Sequence, residues 1–554
     1  MNHTSHPPAG VPARSAVNRR SFLGLMGLGV AAPGVLAACG SGGAPAGTSA
    51  APGSAVSKDV LPTYAPITYA EPDFPSVNGS TAGYQSLPEE LVRAFDSPPG
   101  SGGSYTAMTP LWGTIPPTSG NQYFEAVNKA IGSTIDFQIS DGNTYGEKLA
   151  AVLASPDDVP DWVCIPTWNV PPRFDQAVAN LFEDLTPYLS GDNAEKYPHL
   201  ANIATDVWKF CVFEGKIKAI PYPGELITDA IFYRDDVLAA EGITPEVTDA
   251  EALRQLAKDL TGGDRWGAND MWTAATIIHR VPPEWTIDDS GKLLNRVETE
   301  EYRAALAWNA SLYADGSIHP EAVADNSANA KTRFESGQVL ITSDGVGAWH
   351  EALARQRGTN PDYSQRPFPA FAADGGEPLL FKGSPANIFS FLKKNEDKAK
   401  IEELLAVANF LASPFGTEEF QLINYGLEGV HYDKDDQGIP VPTDLAATEV
   451  QPSYIFLADP PVVNAKVQFP EYVEKFCTWM ADAARYVTDP PFFGLQITEP
   501  PQFATLSLPF EDLEKDISRG RRSMADLDAA IETWRSSGGE ELRAFYRDIL
   551  ESEG

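Results

Sequence analysis

Tyr105-Thr-Ala-Met-Thr-Pro-Leu-Trp112 begins a segment in which strand and helix patterns alternate. The residue patterns there predict strands over 105–112, 134–139 and 162–165, separated by helices over 122–131 and 145–154. Alternation of this kind is typical of βαβ units, whose strands run parallel in one sheet. We therefore predict an α/β fold in which a ligand binds at the carboxyl ends of the strands.

Two tryptophans follow predicted strands of this segment. Trp112 comes at the end of the first strand, and Trp168 comes shortly after the third. Because the carboxyl ends of parallel strands meet at one edge of a sheet, both side chains are expected to face a cleft. The alternative, that each is an ordinary rim or core aromatic, stays open at this point.

The length and charge of the chain restrict its organisation and its partners. Its 554 residues exceed the size of a single hydrophobic core, so at least two domains are expected. The net charge is −35, and without residues 1–38 it becomes −38, because 38 basic residues then face 76 acidic ones. So acidic a surface repels phosphate backbones and anionic lipids, which argues against nucleic-acid binding. An anionic ligand would need a local cluster of arginines.

The amino terminus has the layout of a bacterial secretory signal. Asn18-Arg-Arg-Ser-Phe-Leu23 supplies a positive start, a glycine-interrupted apolar run follows, and Leu36-Ala-Ala-Cys39 ends it. The run is shorter than the ~20 residues of a permanent membrane helix, so cleavage is predicted. The first stretch resembles the twin-arginine signal and the second the bacterial lipobox, which implies lipid attachment to Cys39. A chance cysteine after an ordinary signal peptide is the alternative.

Three segments are predicted before the folded body begins. Residues 1–38 are the twin-arginine lipoprotein signal peptide, and residues 39–57 are the lipid anchor with a flexible linker of Gly, Ser, Ala, Pro and Thr. Residues 58–103 stay rich in proline and are expected to form an arm that lies on the body.

Three later motifs carry a family resemblance: Gly215-Lys-Ile-Lys-Ala-Ile-Pro-Tyr-Pro223, the stretch from Phe334 to Trp349, and Asn424-Tyr-Gly-Leu-Glu-Gly-Val-His-Tyr432. In this order they resemble the extracellular solute-binding proteins (family 1) of bacterial carbohydrate ABC transporters, and the last motif resembles the long, LplA/LipO-like lipoprotein subgroup. The resemblance implies the periplasmic-binding-protein-like type II fold, with two lobes, a hinge and an interlobe ligand cleft. Residues 104–225 and 385–450 would form lobe 1, and residues 226–384 and 451–554 lobe 2.

The resemblance also implies partners and a location. The ligand would be a sugar or oligosaccharide, including one that contains uronic acids, and the receptor would deliver it to ABC permease subunits. The chain would be a monomer, held by lipid on Cys39 at the outer face of the cytoplasmic membrane. Arg173, Arg234, Arg280 and Arg333 could serve a uronate, although each could equally be a surface charge.

Catalytic and metal-binding patterns are lacking in the sequence. We find no Gly-x-Ser-x-Gly elbow, P-loop or Cys-x-x-Cys, and His350-Glu351 lacks the second histidine of a zinc site. The region 259–267, where many relatives of the subgroup have a calcium loop, lacks alternating acidic or amide ligands. We therefore predict no catalytic residue, no cofactor and no metal. A secreted carbohydrate-active enzyme and a binding protein for another solute are the alternatives.

A sugar-binding cleft needs flat aromatic surface for the sugar ring and fixed polar groups for its hydroxyls. Tyr222 and Trp349 are candidates because of their positions in the motifs. Trp272 and Trp285 are candidates only because they lie in the second lobe, and for them a place in the core or on the surface is the alternative. The glycines around Glu428 and His431 indicate a tight turn, in which these two side chains would brace the backbone and not bind a ligand. The predicted ligand-binding residues are Trp112, Trp168, Tyr222, Glu225, Trp272, Trp285, Asp344, Trp349 and Tyr432.

Overall fold

The computed structural model describes residues 59–171, 174–324, 329–436, 438–497 and 499–553. The predicted signal peptide, the linker and Cys39 lie outside these residues, and so does Arg173. Three cysteines are described, Cys164, Cys211 and Cys477, and each is a buried free thiol.

The first lobe is built on a five-stranded sheet. Its strands are β1 (Ser104–Leu111), β2 (Thr134–Asp141), β3 (Trp162–Pro166), β4 (Ala219–Pro223) and β9 (Ala386–Leu392). The strand order is β2-β1-β3-β9-β4. β1 pairs in parallel with β2 and β3, whereas β9 runs antiparallel to both β3 and β4. The predicted βαβ units are therefore confirmed, with two antiparallel strands added from later in the chain.

Local sequence explains why the predicted elements form. The Asn121 side chain accepts a hydrogen bond from the Phe124 amide and caps the first helix of the lobe. Gly132, with a φ of 71°, ends that helix in the left-handed conformation. The Tyr145 hydroxyl donates to the Cys164 carbonyl at 2.7 Å and ties the second helix to β3.

The second lobe is built on a four-stranded sheet. Its strands are β5 (Asp229–Tyr233), β6 (Trp266–Ala268), β7 (Val339–Gly345) and β8 (Arg366–Pro367). The order is β8-β5-β7-β6, in which only the pairing of β7 with β6 is parallel among the described strands. The two lobes thus have separate sheets and separate cores.

Helices surround both sheets. Those packed with the first core are Gln122–Ile131, Tyr145–Leu153, Phe174–Leu181, Lys398–Leu411 and Glu418–Tyr425. Those of the second lobe are Ala250–Asp259, Glu300–Ala314, Ala348–Gln356, Pro470–Ala483, Leu508–Ser518, Met524–Trp534 and Glu540–Glu553. Among the described residues, none of the helices combines the length and apolar character required to span a bilayer.

The chain passes between the lobes three times. It leaves the first sheet between β4 and β5, and it returns before β9. The third passage follows residues 454–458, which pack in the first core, and precedes the helix Pro470–Ala483, which packs in the second lobe. These passages bring distant parts of the sequence to one place between the lobes.

The segment from residue 59 to residue 103 lies on the body and reaches that place. Ala82–Gly83 pairs in parallel with Val463–Asn464, which belongs to the third passage. The Tyr84 ring stacks on Phe415, with 4.1 Å between the ring centroids. The segment is therefore fastened to the region that joins the two lobes.

Candidate functional site

A cavity of about 380 Å³ lies where the three passages meet. The first passage contributes Tyr222–Thr228, the second Asn387, and the third residues 459–466. The second lobe adds Gly345, Gly347 and His350, at the carboxyl end of β7 and the start of the following helix. The cavity thus has walls from both lobes, and a ligand inside it would contact both.

Two acidic side chains line this cavity. The Glu225 carboxyl accepts a hydrogen bond from the Thr81 hydroxyl. Burial raises the pKa of Glu225 to about 7, although that hydrogen bond and the nearby Lys466 lower it. Burial likewise raises the pKa of Asp459 to about 8, again opposed by Lys466. Both carboxyls therefore hold protons to a higher pH than they would in water.

Two basic side chains accompany them. Burial lowers the pKa of Lys466, while Asp459, Glu351 and Glu225 raise it. Burial also holds the pKa of His350 well below its usual value, and the charge of Lys466 acts in the same direction. Lys466 is the one lysine or arginine among the described residues that line the cavity.

An aromatic surface extends from the cavity. Trp112 and Trp168 are 44% and 61% exposed, and their ring centroids lie 5.7 Å apart at an interplanar angle of 47°. The Trp112 ring also contacts Phe456 edge-on at 6.1 Å, and Phe456 contacts Tyr222 at 5.9 Å. The exposed pair is thus joined through Phe456 to Tyr222, which lines the cavity.

The backbone at Gly142 lies very close to the Trp112 ring. A Cβ placed on Gly142 would lie only 2.2 Å from Cε2 of Trp112. Glycine at this position lets the turn after β2 approach the indole closely. The orientation of Trp112 therefore depends on a residue 30 positions later in the chain.

The structure brings several of the predicted residues together. Tyr222 and Glu225 line the cavity, and Trp112 and Trp168 form the adjoining aromatic surface. Asp344 lies at the end of β7, next to the cavity-lining Gly345, and burial raises its pKa. Their ligand-binding roles stay predictions.

Two predicted aromatic residues lie in packed surroundings instead. Trp285 is 2% exposed and packs against Trp534 and Tyr546, so its ring offers no face to a ligand. Trp349 is 3% exposed and packs edge-on against Tyr472. Its neighbour His350 reaches the cavity, because successive helix residues point in different directions.

Trp272 and Tyr432 also lie away from this cavity. Trp272 is half-buried against Tyr302 in the second lobe. Tyr432 is buried beside Tyr425, and it borders a separate cavity next to the helix Gln122–Ile131. Neither residue is among those that line the cavity between the lobes.

The turn around His431 has the bracing contacts that its glycines indicate. His431 is fully buried; its Nδ1 accepts from the Leu427 amide at 3.0 Å, and its Nε2 lies 3.1 Å from a Glu449 carboxylate oxygen. The same Glu449 oxygen accepts from the Gln122 amide at 2.8 Å. His431 thus fastens the turn to the first helix of the lobe.

The arginines considered for a uronate have other partners. Arg234 is buried and paired with Asp236 at 2.7 Å, and it also donates to two backbone carbonyls. Arg280 pairs with Asp374, and Arg333 pairs with Glu321. None of these three lines the cavity.

Sequence reasoning missed Asn387, Asp459 and Lys466. They lie in the second and third passages, far in sequence from the motifs around Tyr222 and Trp349. No local pattern marks them, because only the fold brings these passages together. In the described part of the chain, no group of three or more His, Cys, Asp or Glu side chains is arranged to hold a metal ion.

Comparison with known proteins gives a family and a fold. The sequence profile of a family described as bacterial extracellular solute-binding protein matches residues 114–417. Lipoprotein LipO of Bacillus subtilis (strain 168) is 23% identical over 497 residues, which cover 82% of this chain and 94% of LipO. The polygalacturonan/rhamnogalacturonan-binding protein YtcQ of the same organism is 22% identical over 409 residues, covering 68% of this chain and 78% of YtcQ.

A solved structure has the same architecture. The crystal structure of the alginate-binding protein AlgQ2 without calcium ion superposes with a TM-score of 0.56 at 16% identity. The match covers 84% of this chain and 99% of AlgQ2. The predicted type II arrangement of two α/β lobes with a cleft between them is thereby confirmed.

Proposed function

The chain belongs to the family of bacterial extracellular solute-binding proteins, and we propose that it captures a sugar or oligosaccharide for an ABC importer. The ligand would occupy the cavity between the lobes and extend over the exposed tryptophan pair. The relative YtcQ is named for binding polygalacturonan and rhamnogalacturonan, which supports a carbohydrate ligand.

The aromatic surface beside the cavity is the observation that carries this proposal. Exposing two neighbouring tryptophan rings to water is unfavourable unless a partner covers them. A pyranose ring has an apolar face of C–H groups that fits an indole, and its hydroxyls need polar partners. Trp112 and Trp168 offer the first, and Glu225, Asn387 and Asp459 in the adjoining cavity offer the second.

Closure of the lobes would couple binding to delivery. A ligand that contacts Tyr222 on one lobe and His350 on the other favours the conformation in which both contacts form. The closed receptor would then dock on the permease subunits of the transporter. The proposal includes no chemical change to the sugar.

An extracytoplasmic location follows from membership of an extracellular family. We propose in addition that the chain is exported by its twin-arginine signal and held at the outer face of the cytoplasmic membrane by lipid on Cys39. Cys39→Ser should then move the protein from the membrane fraction to the soluble fraction. Retention of the variant in the membrane fraction would contradict the lipid anchor. A single species at the monomer mass in light scattering would support the proposed monomer.

A thermal-shift screen tests the sugar proposal. The chain carrying Cys39→Ser is heated with neutral mono- and oligosaccharides and with uronides, and each sugar is then recovered by chromatography. A ligand at about 100 times its Kd adds ~2.7 kcal/mol to the native state, which raises the midpoint by several degrees. A selective shift with intact sugar supports a transport receptor. A consumed sugar would indicate an enzyme, and no shift with any sugar would overturn the proposal.

A further inference from the structure

Lys466 holds an unusual position in the cavity. It follows Val463–Asn464, which is held in place by its pairing with Ala82–Gly83. Its side chain lines the cavity, yet its ammonium has no carboxylate within the 4.0 Å of an ion pair among the described residues. By contrast, Arg234, Arg280 and Arg333, which lie away from the cavity, all have carboxylate partners.

Lys466 is half-buried, and a cation that has lost part of its hydration without gaining an ion-pair partner is unfavourable. Asp459, Glu351 and Glu225 oppose the lowering of the Lys466 pKa by burial, but they do not form an ion pair with it. An anionic group on a ligand in the cavity would supply that partner. Because the protein as a whole is strongly acidic, such a ligand requires a local cation of this kind.

We propose that Lys466 is a specificity-determining residue that receives the carboxylate of a uronic-acid residue in the cavity. This inference rests on the proposed sugar-binding function and narrows it to acidic sugars. In this arrangement the Lys466 ammonium donates to the carboxylate, while Glu225, Asn387 and Asp459 are left for the hydroxyls. The aromatic pair would bind further sugar residues of the same chain.

The competing explanation is that Lys466 only balances the two acidic side chains of the cavity. That role would not distinguish an acidic sugar from a neutral one of the same shape. A pair of matched ligands separates the two explanations. Trigalacturonate carries the carboxylates, and its methyl ester keeps the sugar rings and hydroxyls but removes the charge.

The decisive measurement is a calorimetric titration of both ligands into the unsubstituted protein and two variants. Lys466→Met keeps the length of the side chain without its charge, and Lys434→Met removes a lysine that is paired with Glu428 away from this cavity. Hydrogen bonds between charged groups contribute roughly 1.5–3 kcal/mol. Lys466→Met should therefore weaken trigalacturonate binding roughly ten- to a hundredfold and leave the ester unaffected. Lys434→Met should change neither affinity.

Several results would overturn the inference. One is equal or tighter binding of the ester by the unsubstituted protein, and another is an equal loss of both ligands in Lys466→Met. A third is binding of neither ligand while a neutral sugar raises the midpoint in the thermal screen, which leaves the proposed function intact. The function itself fails only if no sugar in that screen has an effect. Lys466→Arg, which keeps the charge, should retain most of the preference for the acid.

A pH series gives a second readout. Glu225 and Asp459, with pKa values raised to about 7 and about 8, gain negative charge between pH 6 and pH 8.5. His350 stays neutral over this range, and Glu351 is already ionised and paired with Lys331 and Arg355. Burial lowers the pKa of Lys466 itself, and loss of its proton would act in the same direction. Trigalacturonate affinity should thus fall several-fold as pH rises, with a smaller change for the ester. An affinity that rises with pH would contradict the placement of the carboxylate beside Lys466.

Discussion

Four tryptophans predicted for the ligand site differ between the two lobes in how the fold uses them, although the first lobe also buries Trp162 and Trp208 in its core. In the first lobe, Trp112 and Trp168 lie side by side and are largely exposed. In the second lobe, Trp285 and Trp349 are almost completely buried. The burial of Trp285 depends on Trp534 and Tyr546, two residues of the carboxy-terminal helices about 250 positions later. Of these four residues, the exposed pair therefore lies in the first lobe and the buried pair in the second.

The largest effect that this comparison predicts is the loss of Trp285. Trp285→Ala removes a fully buried indole and leaves a cavity between the hairpin Trp285–Ile287/Leu293–Asn295 and the terminal helices. Substitutions of this type cost about 3–5 kcal/mol. The thermal midpoint of the second lobe should fall by many degrees in calorimetry.

Trp168→Ala is the matched control, because it removes the same side chain from an exposed position. It should change the free energy of unfolding by no more than about 0.5 kcal/mol, which is the usual range for substitutions at the surface. A similar loss of stability in both variants would contradict the difference between a buried and an exposed tryptophan on which the comparison rests.

The next largest effect is on ligand binding, and it is expected for the exposed tryptophans of the first lobe rather than for the buried ones of the second. Trp112→Ala and Trp168→Ala should each weaken sugar binding about tenfold, or ~1.4 kcal/mol, because each removes one stacking surface. Trp112→Ala should have the larger effect, since this ring also contacts Phe456, through which the surface joins the cavity. The measurement is calorimetric titration with a sugar that raises the midpoint.

A conservative variant sharpens this test. Trp168→Phe keeps an aromatic face at the exposed position and should lose only part of the affinity. Binding that is unchanged in both alanine variants would show that the exposed pair is not part of the ligand site. In that case the cavity around Glu225 and Lys466 would have to account for binding alone.

The sequence predicts the first lobe better than the second, and the reason is physical. The helix Gln122–Ile131 has its own cap at Asn121 and its own stop at Gly132, so its bounds are encoded locally. The second sheet uses strands as short as Trp266–Ala268 and Arg366–Pro367, which form only because a longer strand pairs with them. Strands of two or three residues have no periodicity to detect.

The same limit applies to the site. Tyr222 lies in a recognisable motif, Glu225 comes two residues after the end of that motif, and both line the cavity. Asp459 and Lys466 come from a passage more than 200 residues later, and nothing near them in sequence indicates a ligand site. Whether a tryptophan stacks on a ligand or fills a core depends on which distant helix covers it, as Trp285 illustrates.

The smallest predicted effect tests whether sugar binding depends on the arrangement of the two exposed rings and not only on their presence. Gly142→Ala would place a methyl group 2.2 Å from Cε2 of Trp112, so the indole has to move. The 5.7 Å arrangement of the two rings should then change, and sugar affinity should fall about two- to fivefold. Gly262→Ala is the control, because an added Cβ there meets no atom within 4 Å. Tryptophan fluorescence should change for Gly142→Ala alone. Unchanged fluorescence and affinity in that variant would mean that the pair tolerates displacement of one ring. The exposure of the two rings, and not the angle between their planes, would then be the property that separates this pair from the buried tryptophans.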